Sequence, residues 1–191
     1  MHCSVRAAGT GLCVGLALLL GCAKPAPRKQ VRGPAVSVAI GAASPDQIGV
    51  TPAGERIEIA QFRGKLVLLS FWATWCAPCR KELPRLEEFH RAYQDNGLEI
   101  VAVNYGEKPE QIDAFLKANP QLTLRIVVDP TAETAQRFGV TGLPTSVILD
   151  WNGVVRWAKT GYGDGYQQEL LGQLNALVAE LQHPNGSEPQ P

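Results

Sequence analysis

Residues 65–72 form a nearly continuous apolar run, with Leu66, Val67, Leu68, Leu69 and Phe71, and shortly after it stands the pair Cys76-Ala77-Pro78-Cys79. A strand without polar alternation has to be covered on both faces, so the chain must build layers on either side of a sheet. Beyond the cysteines, Leu83, Leu86, Phe89 and Tyr93 recur at helical spacing with charged residues between them. This spacing predicts an amphipathic helix over residues 78–95, with Pro84 inside it. The cysteines therefore sit where a buried strand hands over to the first turn of a helix.

The remaining pattern fills in the layers. Residues 98–104 and 124–128 read as two further buried strands. A short helix opens at Pro109 with Ile112, Phe115 and Leu116 on one face, and another covers residues 133–138 before Gly139. Pro52-Ala53-Gly54 is a turn signal between residues 48–51 and 56–59, which gives a hairpin at the start of the domain. Residues 150–153 similarly join 145–149 to 154–160 as an antiparallel pair. The last helix is expected to start at Asp164, with Gln167 three residues on, and to bury Leu170, Leu171, Leu174, Leu177, Val178 and Leu181. This order predicts an α/β fold, a central mixed β-sheet with helices on both faces and an N-terminal β-hairpin.

Three of the five cysteines, Cys3, Cys13 and Cys22, fall in the first 22 residues, a segment of different character. It carries one basic residue, Arg6, then an apolar stretch over residues 12–20. That stretch is short for a membrane span, which takes about 20 residues, but has the length of a signal-peptide core. Leu19-Leu20-Gly21-Cys22 resembles a bacterial lipobox, which makes residues 1–21 a lipoprotein signal peptide and Cys22 the lipidated N-terminus. Residues 22–43 are then a Pro-rich tether, 44–182 the folded domain, and 183–191 a Pro-rich, disordered tail. Without residues 1–21 the chain keeps all 18 acids, loses one arginine and has a net charge of −1. Nothing in that balance argues for a nucleic-acid partner.

The mature chain keeps two free cysteines, too few for a disulfide-built scaffold. At a helix N-terminus, unpaired N–H groups and the positive end of the dipole stabilise a thiolate. Cys76 is therefore expected to be the exposed nucleophile, and Cys79, one turn on, the shielded resolving thiol. Three other readings compete. A closed zinc site needs about four ligands; His90 is the one histidine in the folded region, so no metal is expected, although two soft thiolates could carry Cu(I) as a metallochaperone does. A structural disulfide across two intervening residues would constrain the unfolded chain little. A peroxidase of related fold would place its reactive cysteine in another loop sequence, behind a Pro and a Thr, which is absent here.

"LVLLSFWATWCAPCRKELPRLEEF", "EIVAVNYGE" and "GVTGLPTSVILDWNG" occur in that order. Together they resemble the TlpA/ResA-like branch of the thioredoxin superfamily, membrane-anchored thiol-disulfide oxidoreductases of the bacterial cell envelope. The resemblance covers residues 44–182 and implies a thioredoxin fold with Cys76–Cys79 as its redox disulfide and no cofactor. It further implies that Pro144, between Leu143 and Thr145, is the cis-proline whose flanking backbone binds an extended substrate. Trp75 would contact partners and Trp72 would pack in the core. Glu107 matches an acidic residue near the cysteines that would raise the thiol pKa values and exchange protons with Cys79. Ser70 stands where thioredoxin has a buried aspartate, which shifts the proton-transfer role toward Glu107. The expected activity is reduction of client disulfides, in apocytochrome c or a copper-site assembly protein, with a membrane thiol-disulfide electron donor as second partner. The expected place is the cell envelope, lipid-anchored and facing the periplasm or exterior. A disulfide-donating oxidant uses the same motif and is the alternative of direction.

Overall fold

The computed structural model describes residues 39–182. The expected signal peptide at 1–21, the lipidation site Cys22, most of the tether and the tail at 183–191 lie outside the described residues.

The expected elements form in the expected order: β1 (Gln47–Val50), β2 (Arg56–Glu58), β3 (Leu66–Trp72), α1 (Ala77–Tyr93), β4 (Leu98–Tyr105), α2 (Pro109–Ala118), β5 (Arg125–Asp129), α3 (Glu133–Arg137), β6 (Thr145–Leu149), β7 (Val155–Thr160) and α4 (Tyr166–Gln182). The strands make one mixed seven-stranded sheet in the order β2-β1-β5-β4-β3-β6-β7. Strands β3, β4 and β5 are parallel, and β6, β7 and the β1–β2 hairpin add antiparallel flanks.

Strand β3 lies in the middle, and its unbroken apolar run follows from that position. Leu66, Leu68 and Trp72 point into a core shared with α1, α2 and α4, where Leu83, Leu86, Ile112, Leu170 and Leu174 pack. Val67, Leu69 and Phe71 point the other way, into a core closed by Phe62, Ala135 and Phe138. Burial on this scale stabilises by about 1.5–3 kcal/mol per large apolar side chain.

Most boundaries fall within two residues of the sequence reading, and two of the differences have a structural cause. The strand expected over residues 56–59 ends at Glu58, and Ile59–Phe62 form a 3-10 turn that turns Ile59 and Phe62 into the core. Helix α4 begins at Tyr166 rather than Asp164, because Gly165 adopts a φ of 79°, which a right-handed helix cannot contain. Leu171 and Leu181 are half-buried instead of fully covered.

At the other end of the domain the incoming chain lies against the start of β7. The Gly41 N–H donates to Val155 O at 2.7 Å and the Val155 N–H to Ala42 O at 2.9 Å, while Ala43 bridges Val154. At the opposite edge of the sheet, β3 and β4 end together with Trp72 paired to Asn104, and β6 begins there with Thr145 paired to Phe71. The loops that leave this edge carry Cys76, Glu107 and Pro144.

Candidate active site

The turn from β3 into α1 places Cys76 as the N-cap of the helix, and its Sγ accepts the Cys79 N–H at 3.2 Å. Pro78 falls in the first turn, where a missing N–H leaves nothing unpaired. The two cysteines form a disulfide, with their Cα atoms 5.2 Å apart. Cys79 is fully buried and Cys76 is only 5% exposed. The expectation of an exposed nucleophile is not met in this disulfide form, because as a cap the sulfur folds inward over the helix end. Trp75 beside it is 64% exposed, and the other predicted tryptophan, Trp72, is buried and packs at a tilt against Phe115.

Pro144 is buried, and the Leu143–Pro144 peptide bond is cis. Thr145 Oγ1 donates to Gly142 O at 2.8 Å and meets Thr160 Oγ1 at the same distance, tying the loop to β7. An open groove of about 540 Å³ runs from Ala77, Pro78 and Lys81 toward Tyr162, Asp164 and Gln167 before and within α4.

Glu107 is buried at the end of β4. Its Oε2 accepts the Thr74 N–H at 2.7 Å and Asn104 Nδ2–H at 2.8 Å, and its Oε1 accepts the Thr74 hydroxyl. These bonds fix the residue two positions before Cys76. They tie Glu107 to the redox loop through both the backbone and the side chain of Thr74.

The carboxylate one helical turn beyond Cys79 is Glu82, which sequence reasoning passed over as one of the charged residues between the apolar positions of α1. It is fully buried, and its oxygens accept hydroxyls from Ser70 at 3.2 Å, Ser146 at 3.1 Å and Tyr166. Burial pushes the Glu82 carboxyl above its ordinary range, and the three hydroxyls pull it down without cancelling that push. The departure at Ser70 now has a structural counterpart: the acid absent from the strand is supplied by the helix and is bonded to Ser70. A signal was present, because Cys79, Glu82, Leu83 and Leu86 share the i, i+3, i+4, i+7 stripe that faces the core.

Among the described residues no cluster of three or more His, Cys, Asp or Glu side chains could hold a metal ion. What the arrangement can do is thiol chemistry: a capped sulfur at a helix N-terminus, a buried partner sulfur, and an acid one turn further in.

Comparison with known proteins agrees with this chemistry. Residues 40–158 match the model of the AhpC/TSA family. The chain is 38% identical over 125 residues to the thiol-disulfide oxidoreductase ResA of Geobacillus thermodenitrificans, covering 65% of this chain and 71% of the relative. It is 34% identical over 125 residues to ResA of Bacillus subtilis, covering 65% and 69%. Among solved structures, a protein of Chlorobium tepidum bearing the name thiol:disulfide interchange protein DsbE superposes with a TM-score of 0.69 at 31% identity, covering 74% of this chain and 99% of that one. The chain belongs to the AhpC/TSA family of the thioredoxin superfamily and, within it, is a thiol-disulfide oxidoreductase of the ResA kind.

Proposed function

We propose that the protein is a lipid-anchored reductant of the bacterial cell envelope that reduces client disulfides through Cys76 and Cys79. The carrying observation is the closed pair on the N-terminus of a 17-residue helix, with the Cys79 N–H directed at Cys76 Sγ. On reduction that N–H and the positive end of the helix both favour a Cys76 thiolate. The thiolate attacks a client disulfide, one client sulfur bonds to Cys76, and the other leaves as a thiolate. Cys79 then passes its proton to Glu82 and attacks Cys76 Sγ, which closes the pair and releases the second client sulfur. Two electrons have passed to the client, and a membrane thiol-disulfide donor returns them.

In this reading Trp75 and the segment Leu143, Pro144 and Thr145 receive an extended client, and the groove beginning at Ala77 and Pro78 extends that surface. Exposure of Trp75 and the groove's position beside the cysteines support the assignment. Glu107 holds Thr74 and so fixes the loop from which Cys76 acts. Apocytochrome c or a copper-site assembly protein are the clients, and the anchor is a lipid on Cys22, with the domain facing the periplasm or exterior. No helix among the described residues is long and apolar enough to cross a membrane. The support for the anchor is the lipobox-like Leu19-Leu20-Gly21-Cys22 behind its apolar stretch.

Reduction of insulin disulfides by the full-length protein tests the reaction. Cys76→Ala should abolish it and Cys79→Ala should accumulate mixed disulfides; normal turnover by the Cys76 variant would refute the mechanism. A reduction potential near that of thioredoxin, about −270 mV, supports a reductant, whereas one near −120 mV makes the protein a disulfide donor. Cys22→Ala should move the protein from the membrane to the soluble fraction, and unchanged membrane retention would remove the lipid anchor.

A further inference from the structure

Glu82 is not an isolated acid. Ser70 on β3 and Ser146 on β6 are register partners in the antiparallel pair, so their hydroxyls reach the same carboxylate from adjacent strands. From the other side Tyr166, in the first turn of α4, brings its phenol onto Glu82 Oε1 and onto Ser146 Oγ at 2.8 Å. Tyr166 is itself 2% exposed, and its ring is held between those of Tyr162 and Trp157, at centroid distances of 5.2 and 6.3 Å.

The protons of this cluster can be placed. It contains four oxygen–oxygen contacts: Ser70 with Glu82, Ser146 with Glu82, Tyr166 with Glu82 and Tyr166 with Ser146. Three hydroxyls bring three protons, and each proton serves one contact. With Glu82 ionised the three protons serve the three contacts to the carboxylate, so Tyr166 and Ser146 donate to it side by side. The surroundings add no opposing charge, since no ion pair includes Glu82 among the described residues. Bonded to it are Ser70, Ser146 and Tyr166; Cys79 stands one turn before it on α1, the exposed Lys81 and Arg85 lie on the same helix, and Tyr162 packs on Tyr166. Glu169 of α4 faces Trp157 Nε1 and Lys159 instead. A buried carboxyl without a cation favours its neutral form.

We propose that Tyr166 is the positioning residue of the redox pair: with Ser146 and Ser70 it holds Glu82 one turn beyond Cys79 and sets the pH at which that acid exchanges a proton with the resolving thiol. The proposal rests on the reading that Cys79 resolves the mixed disulfide. In that step the Cys79 S–H proton goes to ionised Glu82, the Cys79–Cys76 bond forms, the Cys76–client bond breaks, and the client sulfur leaves with the electron pair. The neutral Glu82 of the disulfide state is then the product of the step, and it returns the proton to Cys79 when the pair is reduced again.

Removing the phenol hydroxyl takes away a donor to the ionised acid. Tyr166→Phe therefore raises the proton affinity of Glu82 and leaves less base available to Cys79 at neutral pH. The test uses the reduced mature protein, whose free thiols are Cys76 and Cys79, and dithiobis-nitrobenzoate, which releases one nitrothiobenzoate on attack by Cys76 and a second when Cys79 closes the disulfide. In Tyr166→Phe the inflection of the second phase should move about one pH unit upward, the size of one hydrogen bond to a charged group. The first phase should keep its pH profile, and in a Glu82→Gln background the Phe substitution should leave no shift. Ser146→Ala, which removes a smaller donor from the same oxygen, should shift the second phase in the same sense and serves if the Phe variant fails to fold. Coincident second-phase profiles for wild type and the hydroxyl-deleted variant overturn the proposal, as does a shift that persists with Gln at position 82. Wild-type protein that fails to release in two phases refutes the exchange mechanism itself.

Discussion

Glu82 and Glu87 stand five positions apart on α1, both buried, and their environments send them in opposite directions. For Glu87 burial pushes the carboxyl up, but bonds from the Thr123 hydroxyl and N–H, Arg91 and the Leu124 N–H outweigh it and hold the group below its ordinary range. Glu82 has only hydroxyl donors and stays above that range. A lowered carboxyl contributes stability that is present above its unfolded pKa of about 4.3 and is lost as pH falls through the folded value. A raised carboxyl does the reverse, costing stability as pH rises from about 4.3 to the folded value. Glu87→Gln should therefore lose stability relative to wild type at neutral pH, with the gap closing as acid is added. Glu82→Gln should gain on wild type as pH rises through the window above 4.3, the ordinary carboxyl value of about that size. Denaturant midpoints measured against pH check both, and parallel pH curves for the two variants would contradict the assignment.

The same residues show what a sequence can disclose about a site. Cys76 and Cys79 were legible from spacing and from the strand and helix around them, while attention to Pro144 and Glu107 came from resemblance. Glu82 was legible in principle, since a carboxylate on an apolar stripe has to be paired or neutral, but its charge made it read as part of a solvated face. Tyr166 was out of reach: 84 positions separate it from Glu82, and only the packing of α4 on the sheet brings the two together.

At the scale of elements, α1 is fixed by one device used twice. Before the helix, Glu107 takes both the N–H and the hydroxyl of Thr74; along it, Glu87 takes both the N–H and the hydroxyl of Thr123. The first fork joins the redox loop to β4 and the second joins the helix to the approach to β5. Glu107→Ala should leave the Thr74 N–H and the Asn104 amide without their acceptor, at a cost of about 1–3 kcal/mol for a buried group left unpaired. Urea unfolding reads that loss, and a midpoint unchanged from wild type would show the fork to be dispensable. A second close fit lies where β1 meets β5: a Cβ on Gly49 would stand 2.5 Å from Val127 Cγ1 and 2.9 Å from Val128 O. Gly49→Ala should weaken the docking of the hairpin on the sheet. That contact was invisible in the sequence, where Gly49 looked like an ordinary residue of a short strand.

For the molecule as a whole, the direction of electron flow is a statement about relative stability. A strong oxidant of this superfamily owes its potential to a stabilised reduced form. A reductant requires the opposite order, so the oxidised full-length protein should resist denaturant better than the reduced one. A reduced form that unfolds later would identify a disulfide donor. The layered sheet itself was readable from the unbroken apolar runs of β3 and β4, because a strand buried on both faces admits few alternatives. The 3-10 turn after β2 and the late start of α4 were not, since both depend on how the chain turns into a core already formed.

The pairing of Gly41, Ala42 and Ala43 with the start of β7 also orients the domain. These residues meet the sheet at the end where β6 finishes and β7 begins, whereas the disulfide lies beyond the end where β6 begins. The intervening strands span about 20 Å at 3.3 Å per residue. The described chain thus enters the domain at the end far from the sulfur pair, so the point of entry and the working tip occupy opposite ends of the same sheet.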